Sequence, residues 1–367
     1  MVQTVTGKGD VIMTNLNTKR ICDVHVHMRD FEFDETKKFL DLLHSIGITD
    51  VAIQALCWWN PVSNLSMLYE KANYKKMNIS AFGSIHKTDL YKDIPFETQA
   101  ENLFKVGCDG IKLLGQKPKE RKELGYGIND KRFDKMFSMM EEMGKPVLLH
   151  VNDPEKFWDI TQMTEHEISR GWFYGEGTGY LSKQEIYDET FEMLDKHPNL
   201  KVCLAHFFFQ SNFIDEAERI MEKYPNVSFD LTPGWEMYVG FSTKIDAWHD
   251  FFEKYADRIM YGTDSNTYKG ADNALIHELV RQAITHDNTE FVAPAFGGPI
   301  IKGLYLSQTA IDKICMTNYD KFVGDIVPVN MGELLTRAEK VLADLKKGDD
   351  FEEKVRCINW LEELLKK

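Results

Sequence analysis

ICDVHVH, residues 21–27, is an apolar run closed by two histidines, and its reading sets the fold of the whole chain. Near-continuous apolar character suits a strand covered on both faces, as in a parallel sheet. The residues that follow change period: from Asp34, Phe39, Leu40, Leu42, Leu43 and Ile46 form a helical pattern that stops at Gly47. The same strand-then-helix unit recurs downstream. Strands are expected near 50–56 (DVAIQAL), 79–85 (ISAFGSI), 110–114 (GIKLL), 146–151 (PVLLHV), 201–207 (KVCLAHF), 227–232 (VSFDLT) and 258–264 (RIMYGTD). Helices are expected at 133–143, from Ser182 with Glu185 at capping-box spacing to a stop before Pro198, and at 213–223 before Pro225. Eight such alternations predict an α/β fold, a closed (β/α)8 TIM barrel. An open doubly wound sheet is the alternative, but no Gly-rich phosphate turn follows the first strand to support it.

One interval is too long for a plain βα unit. Residues 153–181, with Trp158, Trp172 and the stretch GWFYGEGTGY, read as an insertion after the fifth strand. Insertions there rise over the C-terminal face of a barrel, so a lid or specificity loop is expected, with packing against a neighbouring subunit as the alternative. The barrel spans about residues 20–325, and residues 330–367 read as two amphipathic helices packed outside it, so 1–367 is expected to be a single domain. A net charge of −14 argues against nucleic acid or anionic membrane as a partner. Six cysteines without a CxxC pair, and no signal-peptide run at the N-terminus, fit a reducing, cytoplasmic setting. A small-molecule substrate is the expected partner, and a homo-oligomer is compatible with the sequence.

The polar residues that close the strands carry the chemistry. Alternation along the first strand puts Asp23, His25 and His27 on one face, where two imidazoles can converge on one ion. His150 closes the fifth strand, His206 the sixth and Asp264 the eighth, while Lys112 lies near the end of the fourth. In a barrel these positions surround one mouth. Most other histidines fall on helices or loops, where a solvated or satisfied imidazole is the default; His86 is ambiguous.

With DVHVH, GIKLL, VLLHVND, CLAHF, YGTDS and the late segment Gly303–Gly324 in hand, the chain resembles the amidohydrolase superfamily, and most closely the branch that includes decarboxylases and hydratases. The resemblance implies that His25, His27 and Asp264 hold a divalent metal. It implies His150 as the remaining ligand of a one-ion site, with His206 acting on substrate as acid, base or electrophile. In a two-ion site a carboxylated Lys112 would bridge, and His150 and His206 would hold the second ion. One ion is the favoured reading, zinc before manganese or iron. Arg29, in HVHMR, is similar to the HxHxR run of dihydroorotases and relatives, whose arginine binds a substrate carboxylate; a rim ion pair is the alternative. Asn152-Asp153 departs from the Gly-Glu of those enzymes. Trp58, Asn60, Asn152 and Trp172 complete the expected substrate-binding set.

The expected activity is hydrolysis of a small, carboxylate-bearing amide, lactone or ester, with a metal-activated water and Asp264 as general base. A decarboxylase or hydratase of an unsaturated or aromatic acid is the alternative on the same scaffold. A non-catalytic metal-binding barrel is the alternative from a different class.

Overall fold

The computed structural model describes residues 11–28, 31–57, 60–85, 93–348 and 353–367. Its main sheet runs β1 (Cys22–His27), β2 (Asp50–Gln54), β3 (Asn78–Ser84), β4 (Gly110–Gln116), β5 (Val147–Val151), β6 (Val202–Leu204), β7 (Val227–Asp230), β8 (Ile259–Met260) and β9 (Ser265–Asn266). Hydrogen-bonded neighbours follow the order β8-β7-β6-β5-β4-β3-β2-β1-β9, and each of these pairings is parallel. The central strands are buried along nearly their whole length, which is why they read as unbroken apolar runs.

The expected eighth strand is the main correction. It is split: β8 pairs with β7 and β9 pairs with β1, and between them the Val24 amide donates to Tyr261 O (2.9 Å) and the Asp264 amide to His25 O (2.8 Å). These contacts close the ring. The interruption has a local cause, because Asp264 adopts φ 52° and turns the chain. The sixth strand is also shorter than expected, since His206–Phe209 form a turn in which all four residues have φ between 52° and 56°. A left-handed turn costs roughly 1–2 kcal/mol per residue. Phe207 and Phe208, both fully buried, offset it: Phe207 stacks on Phe252 at 5.4 Å between centroids, and Phe208 on Phe229 at 6.5 Å.

Strand β1 departs from simple alternation as well. A bulge between Asp23 and Val26 shifts its register against β2. Cys22 and Val24 belong to the barrel interior, with Ala52, Phe82, Leu148, Cys203 and Met260, while Val26 joins the outer core. Asp23 instead accepts from Thr263 Oγ1 and lies 3.7 Å from His277 on the helix Asp272–Thr285. The bottom of the barrel is plugged by Tyr319, Phe322 and Val323 from the helix Asn318–Val323. Apolar packing thus fills the lower barrel and leaves the polar strand ends at the top.

The helices expected at 34–46, 133–143, 182–197 and 213–223 are found at Phe33–Ser45, Lys131–Met143, Lys183–Lys196 and Ile214–Lys223. The Ser182–Glu185 capping box is formed. The helix Met331–Lys347 packs against Ser63–Asn73 and Phe96–Val106, and Lys354–Leu364 brings Trp360 into a 5.4 Å stack with Phe33. Among the described residues no helix is long and apolar enough to cross a membrane.

Candidate metal centre and active site

β1 delivers His25 and His27 to the mouth with their Nε2 atoms 3.1 Å apart. Each ring is held from behind by its other nitrogen. His25 Nδ1 donates to Asp230 Oδ2 at 2.8 Å, and His27 Nδ1 to the Gln54 carbonyl at 3.1 Å. A carboxylate and a carbonyl only accept, so each Nδ1 carries the ring proton and each Nε2 turns a lone pair inward. Asp264 Oδ1 lies 3.3 Å from His27 Nε2, and the ligand atoms of His25, His27 and Asp264 all lie within 4.8 Å of one another. Two donors each about 2.0–2.1 Å from one ion stand at roughly this nitrogen–nitrogen spacing. Two facing lone pairs beside a carboxylate are a fitting donor set for a divalent cation. Imidazole and carboxylate donors suit zinc, manganese or iron.

Asp264 is kept ionised. Burial alone would push its carboxyl up, but the charge around it, that of Lys269 first, outweighs burial and holds it well below the ordinary range. Lys269 Nζ donates to the Asp264 carbonyl at 2.7 Å and lies 3.4 Å from Oδ2. The left-handed backbone at Asp264 is what aims the carboxylate across the mouth toward His27.

His150 and His206 form a second pair, with His150 Nδ1 3.1 Å from His206 Nε2. Their other nitrogens are again committed to acceptors: His150 Nε2 to Asn152 O (3.1 Å) and His206 Nδ1 to Thr232 O (3.2 Å). Burial, with the neighbouring Lys117 and His206, holds His150 well below its usual pKa; burial and His25 bring His206 down to about 3. Both rings are therefore neutral near pH 7, and they too face each other with lone pairs. Lys112, on β4 and only 1% exposed, puts Nζ 3.1 Å from His25 Nε2. Burial lowers its pKa to about 8, against the pull of Asp230 and Asp264.

Asp230, the last residue of β7, is the functional residue that the sequence reading missed. Fully buried, it accepts from His25 Nδ1, the His206 amide (2.8 Å) and the Thr232 amide (3.1 Å). One carboxylate thus orients a ring of the first histidine pair and fixes the backbone of the second. Its signal was present: a carboxylate closing a buried strand (VSFD) occupies the same kind of position as Asp264.

Above these groups lies a cavity of about 320 Å3, floored by His25, His27, His150, His206 and Asp264. The 153–181 insertion forms one wall through Pro154, Phe157, Glu167 and Trp172, as expected for a segment over the mouth. Asp153 braces that wall, accepting from Lys117 Nζ and from the Tyr174 hydroxyl, each at 3.0 Å. Two expected substrate contacts do not reach the cavity. Asn60 Oδ1 accepts from the Val62 amide and from Cys357 Sγ, so it ties a loop to the C-terminal helix. Asn152 is fully buried at φ 64°, and its Nδ2 donates to Lys183 O. Arg29, Trp58 and His86 lie outside the described residues.

A parallel barrel with histidines and acids gathered at the C-terminal strand ends defines an enzyme of the amidohydrolase type. The family model described as "Amidohydrolase" matches residues 81–318, and the chain belongs to that family, in its second branch. No curated protein gives a significant match. Among solved structures, an amidohydrolase described as putative, from Staphylococcus aureus, is 14% identical, with 83% of this chain and 100% of that one covered and a TM-score of 0.52. The 2,6-dihydroxybenzoate decarboxylase from Rhizobium is 15% identical, covering 83% and 99%, at a TM-score of 0.50. The 4-oxalomesaconate hydratase from Rhodopseudomonas palustris is 12% identical, covering 89% and 99%, also at 0.50. At these identities the likeness is one of fold.

Proposed function

We propose that this protein is a metal-dependent hydrolase of a small, carboxylate-bearing amide, lactone or ester, with one divalent ion, zinc before manganese or iron, held by His25, His27 and Asp264. The observation that carries this reading is the pair of inward lone pairs on His25 and His27, fixed by Asp230 and Gln54 and completed by the ionised Asp264. A bound ion lowers the pKa of a water from about 15.7 toward 7 and polarises a substrate oxygen. Asp264, ionised at neutral pH, takes the proton of the attacking water and passes it to the leaving nitrogen or oxygen as the carbon–heteroatom bond breaks. His206, on the cavity floor, gives its ring proton to the Thr232 carbonyl and turns its Nε2 lone pair inward, so toward substrate or water it acts as a hydrogen-bond or proton acceptor. The sequence reading placed His150 in the one-ion set; its pairing with His206 supports a different use.

That pairing favours a second reading, in which His150 and His206 would hold another ion and a carboxylated Lys112 would serve as a shared ligand. Metal analysis separates them: one equivalent per chain supports the first reading, two the second. For the reaction, zinc-loaded enzyme should hydrolyse members of a panel of N-acyl amino acids, lactones and esters, and Asp264→Asn should abolish turnover while keeping the fold. The Rhizobium and Rhodopseudomonas neighbours name decarboxylase and hydratase chemistry. Carbon dioxide release from an aromatic or unsaturated acid, with no hydrolysis across the panel, would replace the hydrolase reading with a lyase one.

A further inference from the structure

Beside the floor of the first cavity lies a second recess of about 450 Å3, which shares the lining residues Pro154, His206, Phe209 and Glu236 with it. Lys183 lines it. This lysine is the first residue of the helix Lys183–Lys196 and is only 8% exposed. Both facts disfavour a cation, since the helix dipole is positive at that end and burial strips the ammonium of water. Its Nζ is surrounded by aromatic rings, with centroids at 5.6 Å (Phe209), 5.8 Å (Trp158) and 5.9 Å (Tyr187). The anion beside it is Glu155 Oε2 at 2.8 Å, from a side chain that is itself 62% exposed and that also lines the recess. A buried ammonium answered by an exposed, displaceable carboxylate is a poor structural pair and a good receptor.

We infer that Lys183 is the specificity-determining residue of the active site, and that the recess around it takes the carboxylate of the substrate while the bond to be broken lies over His25, His27 and Asp264. Glu155 occupies that place in the free enzyme and swings out to solvent when the substrate enters. The aromatic frame excludes water and strengthens the charge pair. Glu236, on the wall common to both recesses, favours acids that carry a hydrogen-bond donor such as an amine or amide N–H near the carboxylate. The sequence reading gave an anion-binding role to Arg29, which lies outside the described residues, and Lys183 is argued independently of it.

The inference deepens the proposed hydrolase reading and rests on it for the position of the reacting bond, but its test does not need turnover. Binding of N-acetylglycine, benzoate and glutarate, each against its neutral amide, is measured by calorimetry on the full chain after chelator treatment. Wild type should bind at least one acid and prefer it to its amide. Lys183→Met should weaken that binding at least tenfold, Lys183→Arg should retain part of it, and the amides should change little. Glu155→Gln should tighten acid binding severalfold, because it removes the competing charge; a purely structural pair predicts no such gain. Circular dichroism melts establish that the variants are folded. Equal acid binding by wild type and Lys183→Met, no acid binding by wild type, or loss rather than gain in Glu155→Gln would overturn the inference. Since binding is read without metal, loss of the hydrolase reading leaves these outcomes interpretable.

Discussion

Replacing Asp230 by asparagine should weaken metal binding at the proposed site while leaving the fold. Removing the side chain altogether is uninformative: Asp230→Ala strands the buried donors of His25, His206 and Thr232, at about 1–3 kcal/mol each. The total approaches the whole stability of an ordinary domain. An amide is different. Its oxygen can still accept from the two backbone amides, but its NH2 then faces His25 Nδ1, which is 2.8 Å from the carboxylate in the wild type. Turning the amide over is worse, because it sets two backbone donors against NH2. The ring therefore answers by moving its proton to Nε2, the atom 3.1 Å from His27 Nε2, and an N–H now points where an ion has to bind. Loss of such an orienting partner typically lowers metal affinity 10–100-fold, about 1.4–2.8 kcal/mol. The assay is zinc affinity by competition with a chromogenic chelator, with circular dichroism to establish folding. Wild-type zinc affinity in a folded Asp230→Asn would refute the tautomer argument.

Metal should also register as stability. If the facing lone pairs bind zinc, adding it at 100 times its Kd to chelator-treated protein stabilises by about 2.7 kcal/mol, seen as a raised Tm; His25→Ala should remove that rise, and a Tm indifferent to zinc counts against the site. Buried His277, held between Tyr261 and Ser265, is kept well below its usual pKa, chiefly by burial. Below pH of about 6.5 the unfolded chain therefore takes up a proton that the folded one does not, and stability falls by up to about 1.4 kcal/mol per unit. Buried Asp23, raised to about 8 by burial, acts in the opposite direction, so the readout is the difference between wild type and His277→Gln in denaturant midpoints from pH 7 to 5. A pH-independent difference would refute it. The six cysteines are buried, and burial raises the thiol pKa of each; a thiol reagent should titrate none in the native protein and all after unfolding.

The elements legible in the sequence were those whose signal is local. β1 to β5 are buried runs bounded by clear helix stops, and the residues that close them are visible as polar letters at the end of apolar words. His25, His27, His150, His206 and Asp264 were found that way and meet at one mouth. What escaped depends on geometry that periodicity does not encode. The bulge in β1 reverses the faces of Val24 and Asp23, and the left-handed turns at His206–Phe209 and Asp264 end strands where the apolar pattern continues. Asn60 and Asn152 looked like pocket residues because they follow strands; each is drawn instead to a backbone group that needed a partner. Lys183 sits at a helix start far from any strand end, so its place in the recess emerges only when the insertion folds over it.

The split eighth strand has a consequence for how the molecule is assembled. Asp264 lies in the interruption between two-residue β8 and β9, and its carboxylate points to His27 on β1. The candidate ligands therefore come from the first and last strands of the barrel, and they meet only when the final turn of the ring has docked. A chain stalled with its seam open would keep only the His25 and His27 part of the candidate ligand set. On the proposed one-ion reading, ion uptake would then be a gauge of completed folding, separating closed barrels from open ones.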